Sequence, residues 1–261
     1  ILNPIMWDEK SIVKGKSADV GPDVLFGLMM SQSIAMPVGI MTLLIFAMQL
    51  AATTVASEKE EKTLETLLTM PINRTTILAG KLTGSIIVAL VGAVAYIVGL
   101  SYYMSSFTGM MGTGNLDLAA LGLAPTIESY AILGVSLFMA LLSALALAIS
   151  LSVFAEDVRG AQALVGPLSI LFIVPMVFTM FTDINALPFP LSIIMLAIPF
   201  THSMLATNVT FTGNYIGAIG GIVYMAIFTI VVLYIASKLF GTEKILTAKL
   251  RFQRTKKTPR E

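Results

Sequence analysis

The chain has 261 residues, of which 56% are hydrophobic and only 12% charged, about half the ~25% charge of a soluble domain. With a mean hydropathy of +0.89 and a net charge of +1, it excludes a disordered chain, a nucleic-acid binder and an ordinary cytosolic enzyme. What remains is an integral membrane protein, and the absence of cysteine removes disulfide frameworks, thiolate zinc sites and cysteine nucleophiles.

The chain opens at Ile1, with no initiator Met and no basic region followed by an apolar run. It therefore has no signal peptide of the usual form, and a preceding segment is expected. Residues 1–23 set Lys10, Lys14 and Lys16 against Asp8, Glu9, Asp19 and Asp23, and read as an extracytoplasmic segment. A crossing needs about 20 apolar residues. Five uncharged stretches meet that length, roughly 24–56, 82–107, 129–155, 161–182 and 215–237. A sixth, 186–205, is interrupted by Pro188, Pro190 and Pro199, each of which removes a helix hydrogen bond. The organisation expected is a transmembrane bundle over 24–240 and a basic tail over 241–261.

Between the first two spans lies SEKEEKTLETLLTMPINRTTILAGKL, residues 57–82. Ser57 and Glu60 form an S-x-x-E pattern, which reads as the capping box of a new helix. Leu64, Leu67, Leu68 and Met70 then recur at helical spacing, with Glu58, Glu60, Glu61, Lys62 and Glu65 over much of the remaining surface. Pro71 ends this helix, and Thr75 or Thr76 caps the next. Four Glu suit an anionic leaflet poorly, and an apolar stripe needs cover. A protein docking from the cytosol satisfies both. In the third span Ser136, Ala140, Ala144, Ala148 and Ser152 recur every four residues, a face of small side chains that lets helix backbones approach in lipid.

Basic residues set the topology. Lys59, Lys62, Arg74 and Lys81 follow the first span, Arg159 the third, and eight basic residues from Lys238 to Arg260 the last. If all three clusters are cytoplasmic, an even number of crossings separates Arg159 from the tail. The stretches 161–182 and 215–237 supply two, so 186–205 reads as a re-entrant or interfacial segment at the outer side. The fold class expected is an all-α membrane bundle of five full spans plus this proline-containing segment, with the C-terminus cytoplasmic.

Within the spans no Asp, Glu, Lys or Arg occurs. Such groups cost roughly 2.5–3.5 kcal/mol at mid-helix and mark ion and proton paths. Their absence suggests that the energy for any transport comes from elsewhere.

The run Glu58, Glu60, Glu61, Thr63, Leu64, Glu65, Leu67, Leu68, Pro71, followed by Gly80 and Lys81, resembles a motif of the membrane subunits of ABC-2 type transporters. The likeness is greatest to the archaeal and bacterial branch of sodium-efflux permeases. That motif reads E-x-E-x-G-T-L-E-x-L-L-x-x-P, then G-K; its usual Gly is Lys62 here. A weaker likeness is Ala161-Gln162-Ala163 after a short polar turn. The resemblance implies a prokaryotic cell-membrane protein with six spans per subunit, the first of them upstream of Ile1. Residues 1–23 would then be the remnant of an outer domain. It also implies a second permease subunit, in a homo- or heterodimer, and separate cytoplasmic ABC ATPase subunits that use ATP and Mg. The 57–71 helix would be the coupling element, with a minor contact from Asp157 and Arg159.

The chain itself has no P-loop. Gly80-Lys81 is followed by Leu82, and Gly15-Lys16-Ser17 has Lys10 where the first Gly belongs. No cofactor, metal ion or nucleic acid is expected to bind it. An intramembrane hydrolase would have to use His202 and Ser203, but adjacent side chains point apart. His202 is expected at the outer interface instead. A nucleotide-independent channel or scaffold would leave the acidic helix without a purpose.

Overall fold

The computed structural model describes residues 10–13, 16–18, 21–61, 74–110, 125–209 and 213–241. A short antiparallel ribbon, β1 (Ser11–Val13) with β2 (Lys16–Ala18), pairs Ser11 with Ala18. Helices follow: α1 (Pro22–Glu60), α2 (Arg74–Met110), α3 (Ile127–Ser152), α4 (Val158–Leu168), α5 (Ile170–Phe181), α6 (Phe189–Ala197), α7 (Pro199–Leu205) and α8 (Tyr215–Gly241). Five segments are long and apolar enough to cross a bilayer, with α4 and α5 forming one of them.

Two local expectations are corrected. Ser57 and Glu60 do not start a helix, because α1 runs unbroken through both for 39 residues. At 1.5 Å per residue it is roughly 58 Å long, well beyond the ~30 Å hydrocarbon core. The physical reason is that Glu and Lys are good helix formers and nothing in Ser57-Glu58-Lys59-Glu60 breaks the helix. The Ser57 hydroxyl donates back to the Thr54 carbonyl at 2.9 Å, as a mid-helix serine does. Likewise Thr75 and Thr76 lie within α2, which includes Arg74 before them, so neither stands at the N-cap position.

The central helix is α3. Of its most apolar stretch 61% is buried, against at most 28% in any other span. It packs on α1, α2 and α8. Ser136, Ala140, Ala144, Ala148 and Ser152 are all buried within the chain, so the stripe serves intrachain packing. Met36, Ile40, Leu44, Met48 and Ala52 of α1 belong to the same core. Ser136 Oγ has no hydrogen-bond partner among the described residues, and its small volume suits the seam. Near mid-span the Ser143 and Thr229 hydroxyls join α3 to α8 at 2.6 Å. Between α1 and α2 the contact tightens at Gly39, where an added Cβ would stand 3.0 Å from the Tyr96 ring. That room lets the Tyr96 hydroxyl donate to the Met36 carbonyl at 2.8 Å. Outward faces are apolar, including Ile87, Leu90, Val94 and Val98 on α2 and Ile216, Ile227 and Ile230 on α8. In a bilayer such surfaces meet acyl chains.

The segment with three prolines folds as a broken hairpin, with α6 and α7 meeting at 98°. The break falls at Ile198, in extended conformation before Pro199, as the steric rule for pre-proline residues demands. Carbonyls freed at the end of α6 are taken up by side chains. The Thr201 hydroxyl donates to Met195 O at 2.7 Å and the Tyr224 hydroxyl to Ala197 O at 2.7 Å. His202 Nε2 lies 3.0 Å from Leu196 O, which fixes the proton on that nitrogen. Asp183, before the hairpin, and Asn208, after it, line one cavity, so the two ends of the segment lie near one another. By length and composition the bent pair fits either the re-entrant loop expected from charge parity or a single broken span.

Enclosure of α3 gives the first prediction. Ala144→Leu should overpack the seam and destabilise the bundle by about 1–3 kcal/mol. Val135, on the exposed face of the same helix, should accept Leu with a change below about 0.5 kcal/mol. Thermal unfolding in detergent, comparing the two variants, measures the difference.

Candidate functional site

One end of the bundle gathers the chain's described interior charges. It is built from the last turn of α1, the start of α2 and the junction of α3 with α4. Three consecutive side chains of α1 reach three different elements. Glu58 forms an ion pair with Lys81 of α2. Lys59 Nζ donates to the carbonyls of Ser152, Val153 and Ala155 at 3.1, 2.5 and 3.1 Å. Glu60 Oε2 accepts the Val158 N–H, the first of α4, at 3.3 Å.

Each contact answers a local need. The last carbonyls of a helix lack intrahelical donors and carry partial negative charge, which suits an ammonium. Lys59 therefore closes the C-terminus of α3. The first N–H groups of a helix want an acceptor. Glu60 meets one of them on α4, and Asp157 meets another, its Oδ1 accepting the Gly160 N–H at 2.6 Å. Asp157 thus serves as the N-cap of α4, with Arg159 exposed two residues on. Helix caps and an ion pair lock this end without any metal-ligating cluster among the described residues.

Of the residues singled out in the sequence, the structure brings Glu58, Glu60, Asp157 and Ser152 into this knot. Glu61 ends α1 as its C-cap and is exposed. Thr63, Leu64, Glu65, Leu67, Leu68 and Pro71 lie outside the described residues. In the sequence Lys59 was legible only as a topology marker, and Lys81 as that and as the last residue of the family-like Gly-Lys pair. Their bonding roles depend on partners 93 to 96 positions away for Lys59 and 23 away for Lys81. A lone Lys within an acidic run was the available hint.

The other pair weighed in the sequence does not converge. The Ser203 hydroxyl donates to the Phe200 carbonyl at 2.8 Å, while His202 is spent on Leu196. His202 instead packs on Tyr224, ring centroids 4.9 Å apart. It fits because residue 221 is glycine: a Cβ there would stand 2.8 Å from that of His202.

The knot predicts a local effect. Lys59→Met leaves three carbonyls without their charged donor, a loss of about 1.5–3 kcal/mol. Amide exchange at Phe154 and Ala155, whose N–H groups close the end of α3, should quicken by about 10- to 100-fold, with mid-span amides of α3 unchanged. Hydrogen-exchange mass spectrometry of the purified chain reads this directly.

Among known families, the model of the ABC-2 family transporter protein matches the chain over residues 27–238. The matched region takes in all five spans and the knot between them. No curated protein and no solved structure matches the chain.

Proposed function

The chain belongs to the ABC-2 transporter family, and from that membership we propose that it is the permease subunit of an ATP-driven exporter. A separate cytoplasmic ABC ATPase hydrolyses ATP with Mg, and a second permease subunit completes the membrane unit. The charged end faces the cytoplasm, as does the tail after α8. Residues 57–71 couple the two kinds of subunit, with the docking expected of Glu58, Glu61 and Glu65 falling to Glu61 and Glu65 because Glu58 is paired internally, and with Leu64, Leu67 and Leu68 packing against the bundle or the ATPase.

One observation carries this reading. The acidic connection leaves α1 from the turn that is fastened to α2, α3 and α4. A displacement of that connection is passed to three spans at once. Glu58 and Glu60 then act as transmission, since each has an internal partner, and the docking falls to the residues beyond them. The closure of two ATPases on nucleotide favours one arrangement of the bundle only if they contact the two arrangements differently, which a connection anchored through Glu58, Lys59 and Glu60 allows. Asp157 and Arg159, at the adjoining junction, add a minor contact.

Two measurements test the proposal. Glu65→Lys, in vesicles reconstituted with the partner ATPase, should lower transport per ATP hydrolysed by about tenfold, on the scale of a ~1.4 kcal/mol coupling contact, while membrane insertion is unchanged. Unaltered coupling would remove Glu65 from the docking role. A reporter fused after Glu261 should be cytoplasmic and one inserted at Gly114 external; an external signal from the C-terminal fusion would reverse the assigned orientation.

A further inference from the structure

At the end of the bundle opposite the knot lies a partly open cavity of about 440 Å³, lined by α1, α5, the α6–α7 hairpin and the start of α8, with Asp183 at its exposed rim. That volume is within the ~300–1,000 Å³ of small-molecule sites. Its wall has two characters. Phe181, Leu196, Leu205 and Val209 form an apolar side. Ser33, Thr182, Asp183, His202, Asn208 and Asn214 form a polar one.

The polar side favours positive charge. Asp183 is its one carboxylate, and no Lys or Arg is among the described lining residues. Thr179, Met180 and Phe181 bring the C-terminal end of α5 to the wall, and that end of a helix carries partial negative charge. The start of α8 also faces the cavity and by itself would attract an anion. Asn214 blunts it, since its own Oδ1 already accepts the Gly217 N–H at 2.9 Å. His202 Nε2 is directed to Leu196 O, so the ring holds the hairpin and does not offer that N–H to a ligand.

We propose that this cavity binds an organic ammonium that carries an apolar body. Two sources share that chemistry, a free solute and the ammonium headgroup of a lipid in the adjacent leaflet. The cationic head rests among Asp183, Asn208 and the end of α5, and the apolar body lies against Phe181, Leu205 and Val209. This site is independent of the coupling at the far end, and binding to it needs no ATPase.

The test is equilibrium binding of benzyltrimethylammonium to the full chain, purified in an uncharged maltoside detergent, with benzenesulfonate as the charge-reversed probe. Saturable binding of the ammonium at one site per chain is expected, with none of the sulfonate. Asp183→Asn, which keeps shape and removes charge, should weaken it by about tenfold or more, the equivalent of ~1.4 kcal/mol. Ala218→Phe, from a buried position in the wall, should fill the cavity and abolish binding. A thermal melt checks that this variant folds, and Asp183→Asn decides alone if it does not. Equal binding of benzenesulfonate, or wild-type affinity in Asp183→Asn, overturns the proposal. Dihexanoylphosphatidylcholine added in competition separates the sources: displacement supports the headgroup, and no displacement supports the free solute.

Discussion

Hydrocarbon offers no hydrogen bonds, so each backbone N–H and carbonyl at membrane depth must find its partner within the chain. The long spans obey this by being helices. The less regular parts obey it through side chains. Where Pro199 breaks the hairpin, Thr201, His202 and Tyr224 supply donors to three successive carbonyls. Where α3 stops, Lys59 supplies one donor group to three more. Both the broken hairpin and the turn into α4 exist because those carbonyls are satisfied.

The same solvent removes the usual drive for helix association, since lipid tails are as apolar as leucine. Close approach has to take its place. The alanines of α3 provide it on a large scale, and Gly39 against Tyr96 and Gly221 against His202 provide it at single points. Polar contacts between spans are few and small, such as that of Ser143 with Thr229. The bundle is therefore held by shape through its middle and by charge at one end.

That division of labour matters for a transporter. A packed interior transmits displacement without absorbing it. In the proposed coupling, the charged knot at one face, fastened to α2, α3 and α4, is where the ATPase would apply its force. At the other face the hairpin and a cavity of mixed polarity sit among those same spans. Movements of α1 and of the α4–α5 span reach both faces, because these helices contribute to the knot and to the cavity wall.

Hydropathy and charge placement determined most of the fold. Five uncharged stretches of sufficient length match the five helices long and apolar enough to span a bilayer, and the spacing of basic clusters led to the expectation that 186–205 returns to its own side. The spacing of Ser136, Ala140, Ala144, Ala148 and Ser152 marked a buried face correctly, because a period of four is a local property of a helix. Local pattern failed at Ser57. S-x-x-E reads alike at a helix start and inside a longer helix, and only the continuity of α1 distinguishes them. The partners of Glu58, Lys59 and Glu60 were decided by tertiary structure alone, as was the room that Gly221 leaves for His202. The reason is physical: a span is specified by the residues within it, whereas a cap or a cavity wall is specified by whatever the packing of distant helices brings beside it.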